Sequence, residues 1–200
     1  EREYLRTHIL NSLLKVATYN IAHQNKDLAL FEVSNMISKS SRSDHLAIVL
    51  VGNQIMQGAM NKMPYDFYHM KGLVEGIFAI LGIENSRYRF EEIKSHKDEL
   101  HPGKSADIIF QNQVIGTFGE LHPNMINQYD LGKTNAVVLE MNLDLLLNSK
   151  VSVIKMNPIS KFPSVSRDLA FLVEKKVSSK DLLTTIKKVG RGIVEDAYVF

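Results

Sequence analysis

The tetrapeptide Glu-Leu-His-Pro occurs twice, at residues 99–102 and 120–123. Between the copies lie two apolar runs, ADIIF (106–110) and VIGTFGEL (114–121), separated by Gln111, Asn112 and Gln113. Two strand-like runs joined by a short polar turn read as an antiparallel hairpin. A turn at Asn112-Gln113 places His101 opposite Asn124 and brings both His-Pro pairs to the open end of the hairpin. The repeat therefore predicts a local cluster at the edge of an antiparallel sheet, and the question is what the cluster is for.

The remaining periodicities supply the rest of an α+β domain. Asn11 is the expected cap of a helix with Leu13, Ala17 and Ile21 at four-residue spacing and Leu10 and Leu14 beside them, ending near His23. LALFEVS (28–34) and HLAIVLVG (45–52) read as strands on either side of a polar loop, and YRFEEI (88–93) as a weaker one. Asp66 caps the clearest helix, with Phe67, Met70, Val74, Ile77, Phe78 and Leu81 along one stripe and Gly82 as its stop signal. NAVVLEMN (135–142) reads as a strand and LDLLL (143–147) as a short helix.

Asn157-Pro158 and Phe162-Pro163 then punctuate the chain, because the residue before a proline is pushed away from helix. A domain boundary is expected there. Beyond it, Leu169, Phe171 and Val173 alternate as a strand, Ser178 with Asp181 resembles a capping box for a helix ending at Gly190, and IVEDAYVF (193–200) reads as another strand. Two strands and one helix are too little to close a core, so the chain is expected to be part of a longer protein. Charge follows the same division. Residues 1–150 carry 15 Lys+Arg against 17 Asp+Glu, a net of −2, whereas residues 151–200 carry 9 against 5, a net of +4.

Several classes of chemistry are excluded or disfavoured. The absence of cysteine rules out disulfides, thiolate metal sites and a thiol nucleophile. No apolar run is long enough to cross a bilayer, and the first residues, EREYLRTHIL, lack a signal pattern. Glu99, His101, Glu120 and His122 could in principle bind a divalent metal, but His-Pro pairs at a hairpin end are expected as turns and strand stops, and that reading is preferred. Ser105 beside Lys104 lacks the strained elbow of a nucleophile. GNQIMQGAMNK (52–62) lacks nucleotide-loop spacing, and Met56, Met60, Met63 and Met70 read as packing residues. In the last helix Lys180, Lys187 and Arg191 are expected on one face, opposite Leu182, Leu183, Ile186 and Val189. From this feature alone a solvated surface helix is preferred, with contact to nucleic-acid phosphates as the functional alternative.

Taken in order, LRTHILNSLLKVATYN (5–20), LFEVS (30–34), DFYHMKGLVEGIFAILG (66–82), LHPGKSADI (100–108), IGTFGELHP (115–123) and PISKFPSVSRDLAFLV (158–173) resemble the β subunit of bacterial phenylalanyl-tRNA synthetase across essentially the whole chain. The resemblance implies that residues 1–153 form the catalytic-like but non-catalytic core of that subunit, an antiparallel sheet with flanking helices of class II synthetase type. Residues 158–200 would be the N-terminal part of a ferredoxin-like anticodon-binding domain, a truncated β-α-β segment. The two His-Pro pairs become separate family signatures rather than a duplicated metal site.

A class II site holds ATP phosphates with arginine forks. No arginine lies between Arg6 and Arg42 or between Arg89 and Arg167, so LALFEVS and GELHPNMINQYDL both lack one. The resemblance thus implies a supporting role in the phenylalanine–tRNA ligase reaction. The partners are a catalytic α subunit, in an α2β2 heterotetramer, and tRNA(Phe). The whole enzyme uses ATP and Mg2+, none of it bound by this part. Location would be cytoplasmic, with no membrane partner. No catalytic, cofactor or metal-binding residue is assigned, and Lys180, Lys187 and Arg191 are the candidate tRNA contacts. The alternatives are a freestanding synthetase-like regulatory paralog or a metal-dependent enzyme using His101 and His122.

Overall fold

The computed structural model describes residues 8–37, 42–54, 62–94, 98–149 and 161–199. The chain divides into two compact units, Glu1–Lys155 and Met156–Phe200. In the first, α1 (Leu10–Ala22) precedes the hairpin β1 (Leu28–Ile37) and β2 (Arg42–Val51). After α2 (Phe67–Ile80) come β3 (Tyr88–Glu92), β4 (Leu100–Phe110), β5 (Gln113–Leu121), α3 (Pro123–Gln128), β6 (Ala136–Asn142) and α4 (Asp144–Leu147). The six strands form one sheet in the order β1-β2-β6-β5-β4-β3, antiparallel at every pairing.

Side chains alternate between the faces of this sheet, and each face has its own core. On the first face α2 covers Leu46 and Leu50 of β2, Val137, Leu139 and Met141 of β6, Phe118 of β5 and Ile108 and Phe110 of β4. The helix presents Met70, Val74 and Phe78, all fully buried at four-residue spacing. Phe67 stacks on Phe118 at 5.0 Å between ring centroids, and Phe90 meets the same ring edge-on at 5.3 Å. Asp66 Oδ1 accepts the His69 backbone N–H at 3.0 Å and the His69 Nδ1–H at 2.7 Å, and Leu81 ends the helix before Gly82, whose φ of 68° only glycine adopts without strain.

Among the described residues the second face is covered over only part of its area. Leu13, Leu14 and Ala17 of α1 pack with Ala47, Val49 and Val51 of β2, Ala136 and Val138 of β6, and Leu100 and Leu121 at the hairpin's open end. The cap of α1 differs from expectation. Ile9 occupies the N-cap with no side-chain bond, and Asn11 lies inside the first turn, where its Oδ1 accepts from the Tyr129 hydroxyl at 3.1 Å. The Leu10 N–H is bonded by Glu140 of β6 at 3.3 Å, so a carboxylate 130 residues away serves the helix end.

Among the methionines, Met70 is fully buried and Met63 is exposed, while Met56 and Met60 lie outside the described residues. So do His96 and the Asn157-Pro158 pair. In the second unit the expected helix forms as α5 (Ser179–Val189), with Ser178 Oγ accepting the Asp181 N–H at 3.1 Å and Gly190 at the C-cap. The flanking segments expected as strands, 169–173 and 193–199, carry no strand pairing among the described residues. A strand is defined by its ladder partner; Leu169, Phe171, Leu172 and Ile193 are exposed.

Candidate functional site

Register across the sheet gathers a set of residues that are far apart in sequence. Glu32 pairs with Ala47, Ala47 with Glu140, Glu140 with Thr117, Thr117 with Asp107, and Asp107 with Glu91. Directly paired residues share a face. One transverse row of the second face therefore carries four carboxylates: Glu32, Glu140, Asp107 and Glu91. Asp107 is buried, with one oxygen accepting the Lys94 N–H at 3.1 Å and the other lacking a hydrogen-bond partner among the described residues.

Beside Glu140 the face opens into a cleft of about 330 Å³. His8, Asn11, His45, Glu99, Thr117 and Asn142 join Glu140 in its polar lining, which among the described residues includes neither lysine nor arginine. His8 Nδ1 is 3.4 Å and His45 Nδ1 3.8 Å from Glu140 Oε1. Burial pushes the His45 imidazole below its ordinary range, against the pull of Glu140 and Asp144, and its Nε2 lies 3.1 Å from Ser43 Oγ. The cleft suits neutral or cationic groups. A triphosphate, which needs fixed cationic forks, would meet two carboxylates instead.

The His-Pro pairs are neighbours, but with a register different from the expected one. The turn falls at Gln111-Asn112, both with positive φ (49° and 64°), so Phe110 pairs with Gln113. Leu100 then pairs with Leu121, and the His122 N–H donates to the Glu99 carbonyl at 2.9 Å; His101 does not face Asn124. Between the Leu100–Leu121 and Ser105–Gly119 pairs four residues of β4 face one of β5, a wide bulge. Gly119 is required under it, because a Cβ there would sit 2.5 Å from Ser105 Cβ and 2.7 Å from the Lys104 carbonyl oxygen.

Both histidines are committed to local turns in the same way. His101 Nδ1 accepts the Gly103 N–H at 3.1 Å, and His122 Nδ1 accepts the Asn124 N–H at 3.2 Å at the start of α3, where Pro123 fills the first helical position. Glu120 is paired with Lys104 at 2.9 Å. Among the described residues no group of three His, Cys, Asp or Glu could hold a metal. The repeat closes the hairpin end and starts α3.

The three basic residues expected on one face of the last helix are less alike than their spacing suggested. Lys180 is exposed in the first turn of α5, and Lys187 pairs with Asp196 at 3.2 Å. Arg191 lies beyond Gly190, past the end of the helix whose face it was expected to share. The Ala197 N–H and Lys187 hold the Asp196 carboxyl below its usual range.

A family model described as the phenylalanyl tRNA synthetase beta chain CLM domain matches residues 1–143. The chain belongs to the phenylalanyl-tRNA synthetase β-chain family. A second model, the ferredoxin-fold anticodon binding domain, matches residues 160–200. A phenylalanine–tRNA ligase beta subunit of Staphylococcus aureus is 38% identical over 98% of this chain, and that of strain MSSA476 is 37% identical over the same share. Both alignments cover 24% of the relative, so the chain spans about a quarter of the length of the curated relatives it matches. In structure the chain is similar to a pyrrolysyl tRNA synthetase of Desulfitobacterium hafniense, with a TM-score of 0.54, 12% identity, and coverage of 71% of this chain and 48% of that one. A second structure from that organism gives a TM-score of 0.52 over the same shares. These likenesses carry the fold class: the antiparallel sheet of the β-chain family is that of a class II synthetase, followed by a ferredoxin-type segment.

Within the family frame, Glu140 and His45 were absent from the sequence reading. Glu140 had a signal, since it is the only charged residue in the apolar strand 135–142, and His45 likewise opens the run 45–52.

Proposed function

We propose that this chain is part of a phenylalanyl-tRNA synthetase β subunit that supports a catalytic α subunit and does not itself activate phenylalanine. Residues 1–153 are its class II-like, non-catalytic core, and residues 158–200 the N-terminal part of its anticodon-binding domain. The holoenzyme, an α2β2 heterotetramer in the cytoplasm, joins phenylalanine to tRNA(Phe) using ATP and Mg2+. Among the described residues no helix is long and apolar enough to cross a membrane.

One observation carries the supporting role: among the described residues, the cleft on the open half of the sheet is lined by Glu99 and Glu140 with no lysine or arginine. Developing negative charge in adenylate formation needs donors and cations placed in advance. Here the nearest fixed charges have the opposite sign, so the residues present do not fit ATP, and no step of the reaction is routed through them. Lys180, Lys187 and Arg191 supply tRNA contacts in the second unit, with Lys187 exchanging Asp196 for a phosphate.

Aminoacylation by separately purified subunits tests this. The full β subunit alone charges no tRNA, and addition of α restores charging. Turnover by β alone contradicts the proposal.

A further inference from the structure

The tip of the β4–β5 hairpin, at the opposite end from the His-Pro pairs, has a chemistry opposite to that of the cleft. β3 enters the sheet beside this tip, with Tyr88 paired to Phe110 and Arg89 to Ile109. Between the incoming chain and the turn lies a hollow of about 270 Å³ lined by Ser86, Arg87, Tyr88, Arg89, Gln111 and Asn112. Among the described lining residues none is a carboxylate; the Ser86 hydroxyl donates to Glu84 Oε2 at 3.4 Å and the Tyr88 hydroxyl to Asn85 Oδ1 at 2.8 Å, so the donors facing the hollow come from the guanidinium and carboxamide groups.

The two guanidinium groups are held in place. Arg87 lies over the Phe110 ring with its Cζ 5.2 Å from the centroid. Arg89 donates through Nε to Glu91 Oε1 at 2.7 Å and through one terminal nitrogen to Asn112 Oδ1 at 2.9 Å. Those bonds use two of its five N–H donors. Asn112, accepting through its oxygen, keeps its NH2 as a donor. Gln111 and Asn112 are exposed, and their left-handed backbone fixes the turn that carries them. Oriented guanidinium groups beside the carboxamide donors of Gln111 and Asn112 match the oxygens of a phosphate group.

We propose that this hollow is a phosphate site that holds one phosphodiester of bound RNA. It rests on the reading of the family's work on tRNA given above. A backbone phosphate is favoured over a free nucleotide because the six lining residues include only one ring, the half-buried Tyr88, and no aliphatic wall against which a base could pack.

The test uses the assembled enzyme, full-length β with α, and measures tRNA binding as a function of salt. Arg87→Gln with Arg89→Gln should weaken binding roughly three- to tenfold near 0.1 M salt and lower the slope of log K against log salt by about one. Because Arg87 packs on Phe110, a second variant, Gln111→Glu with Asn112→Asp, leaves both arginines in place and puts two carboxylates in the hollow; it should weaken binding as much. Asn127→Asp with Gln128→Glu, on the exposed part of α3, changes net charge equally and should leave binding unchanged. Wild-type affinity and slope in the Gln111/Asn112 variant would overturn the proposal, as would an equal loss in the α3 control. Inorganic phosphate that perturbs Arg87 and Arg89 while both hollow variants bind tRNA normally would assign the site to a free anion and overturn the RNA assignment. Failure of the wild-type enzyme to bind tRNA would instead sink the functional reading on which the proposal stands.

Discussion

The two faces of the six-stranded sheet are built from the same strands and serve different ends. On the first, Leu46, Leu139, Phe118 and Ile108 meet α2, whose Met70, Val74 and Phe78 are fully buried. On the second, α1 covers Val49, Val51, Ala136 and Val138, and the next row carries Glu32, Glu140, Asp107 and Glu91. The closed face is packed apolar contact, and the open one gathers carboxylates.

That contrast predicts very different mutational costs. Phe118→Ala, at the centre of the first face and in ring contact with Phe67 and Phe90, should cost about 3–5 kcal/mol. Glu140→Gln keeps an oxygen acceptor for the Leu10 N–H and should cost about 1 kcal/mol or less. Urea unfolding of the two variants checks the pair; equal costs would break the division between faces. Next in size is Gly119→Val, which forces a side chain into the Ser105 backbone and should cost about 1–3 kcal/mol by overpacking, read from the same unfolding curves.

What the sequence made legible follows from how local the signal was. Asp66, the stripe through Phe78, and Gly82 delimited α2 because cap, period and stop lie within one element. Ser178 delimited the start of α5 for the same reason. The cap of α1 was misread because Glu140 reaches it from β6, and no window around Asn11 contains that residue. The hairpin was legible but not its register: placing Gln111 and Asn112 in the left-handed region moves the turn by one residue, and the bulge at 101–104 then shifts the His-Pro pairs again. The carboxylate row requires the register of six strands at once. Arg191 was misplaced because Gly190 ends the helix before it.

Asp66→Ala tests a local element. It should cost about 1 kcal/mol, within a range of about 0.5–2, in thermal or urea unfolding. Burial raises the Asp66 carboxyl, but bonds from the His69 backbone and ring outweigh it and hold the folded-state pKa below 3.8. The stabilisation is therefore present above the unfolded value and lost as pH falls through the lower folded one. Wild type and variant should converge as the carboxyl protonates in acid; a gap unchanged from neutral pH into strong acid would deny the cap its charge.

The smallest expected effect belongs to the open half. His45 is held below its ordinary value near 6.5, chiefly by burial, with Glu140, Asp144 and Asp44 pulling it up and His8 pushing it down. A depressed histidine is neutral in the fold and more readily protonated when unfolded. Stability should therefore rise with pH through the ordinary histidine range, be fully present above it, and fall as pH drops toward the folded value. His45→Gln should flatten that rise in a pH series of unfolding midpoints, and an unchanged slope would remove His45 from the account of the cleft.

Whether the cleft takes a nucleotide is tested most directly by photo-crosslinking an azido analogue of ATP to the assembled α–β enzyme and mapping the labelled peptides. Label on α alone is the predicted result. Label on the β peptides that carry Glu99, Thr117 or Glu140 would contradict the reading of this chain as a support without a working site.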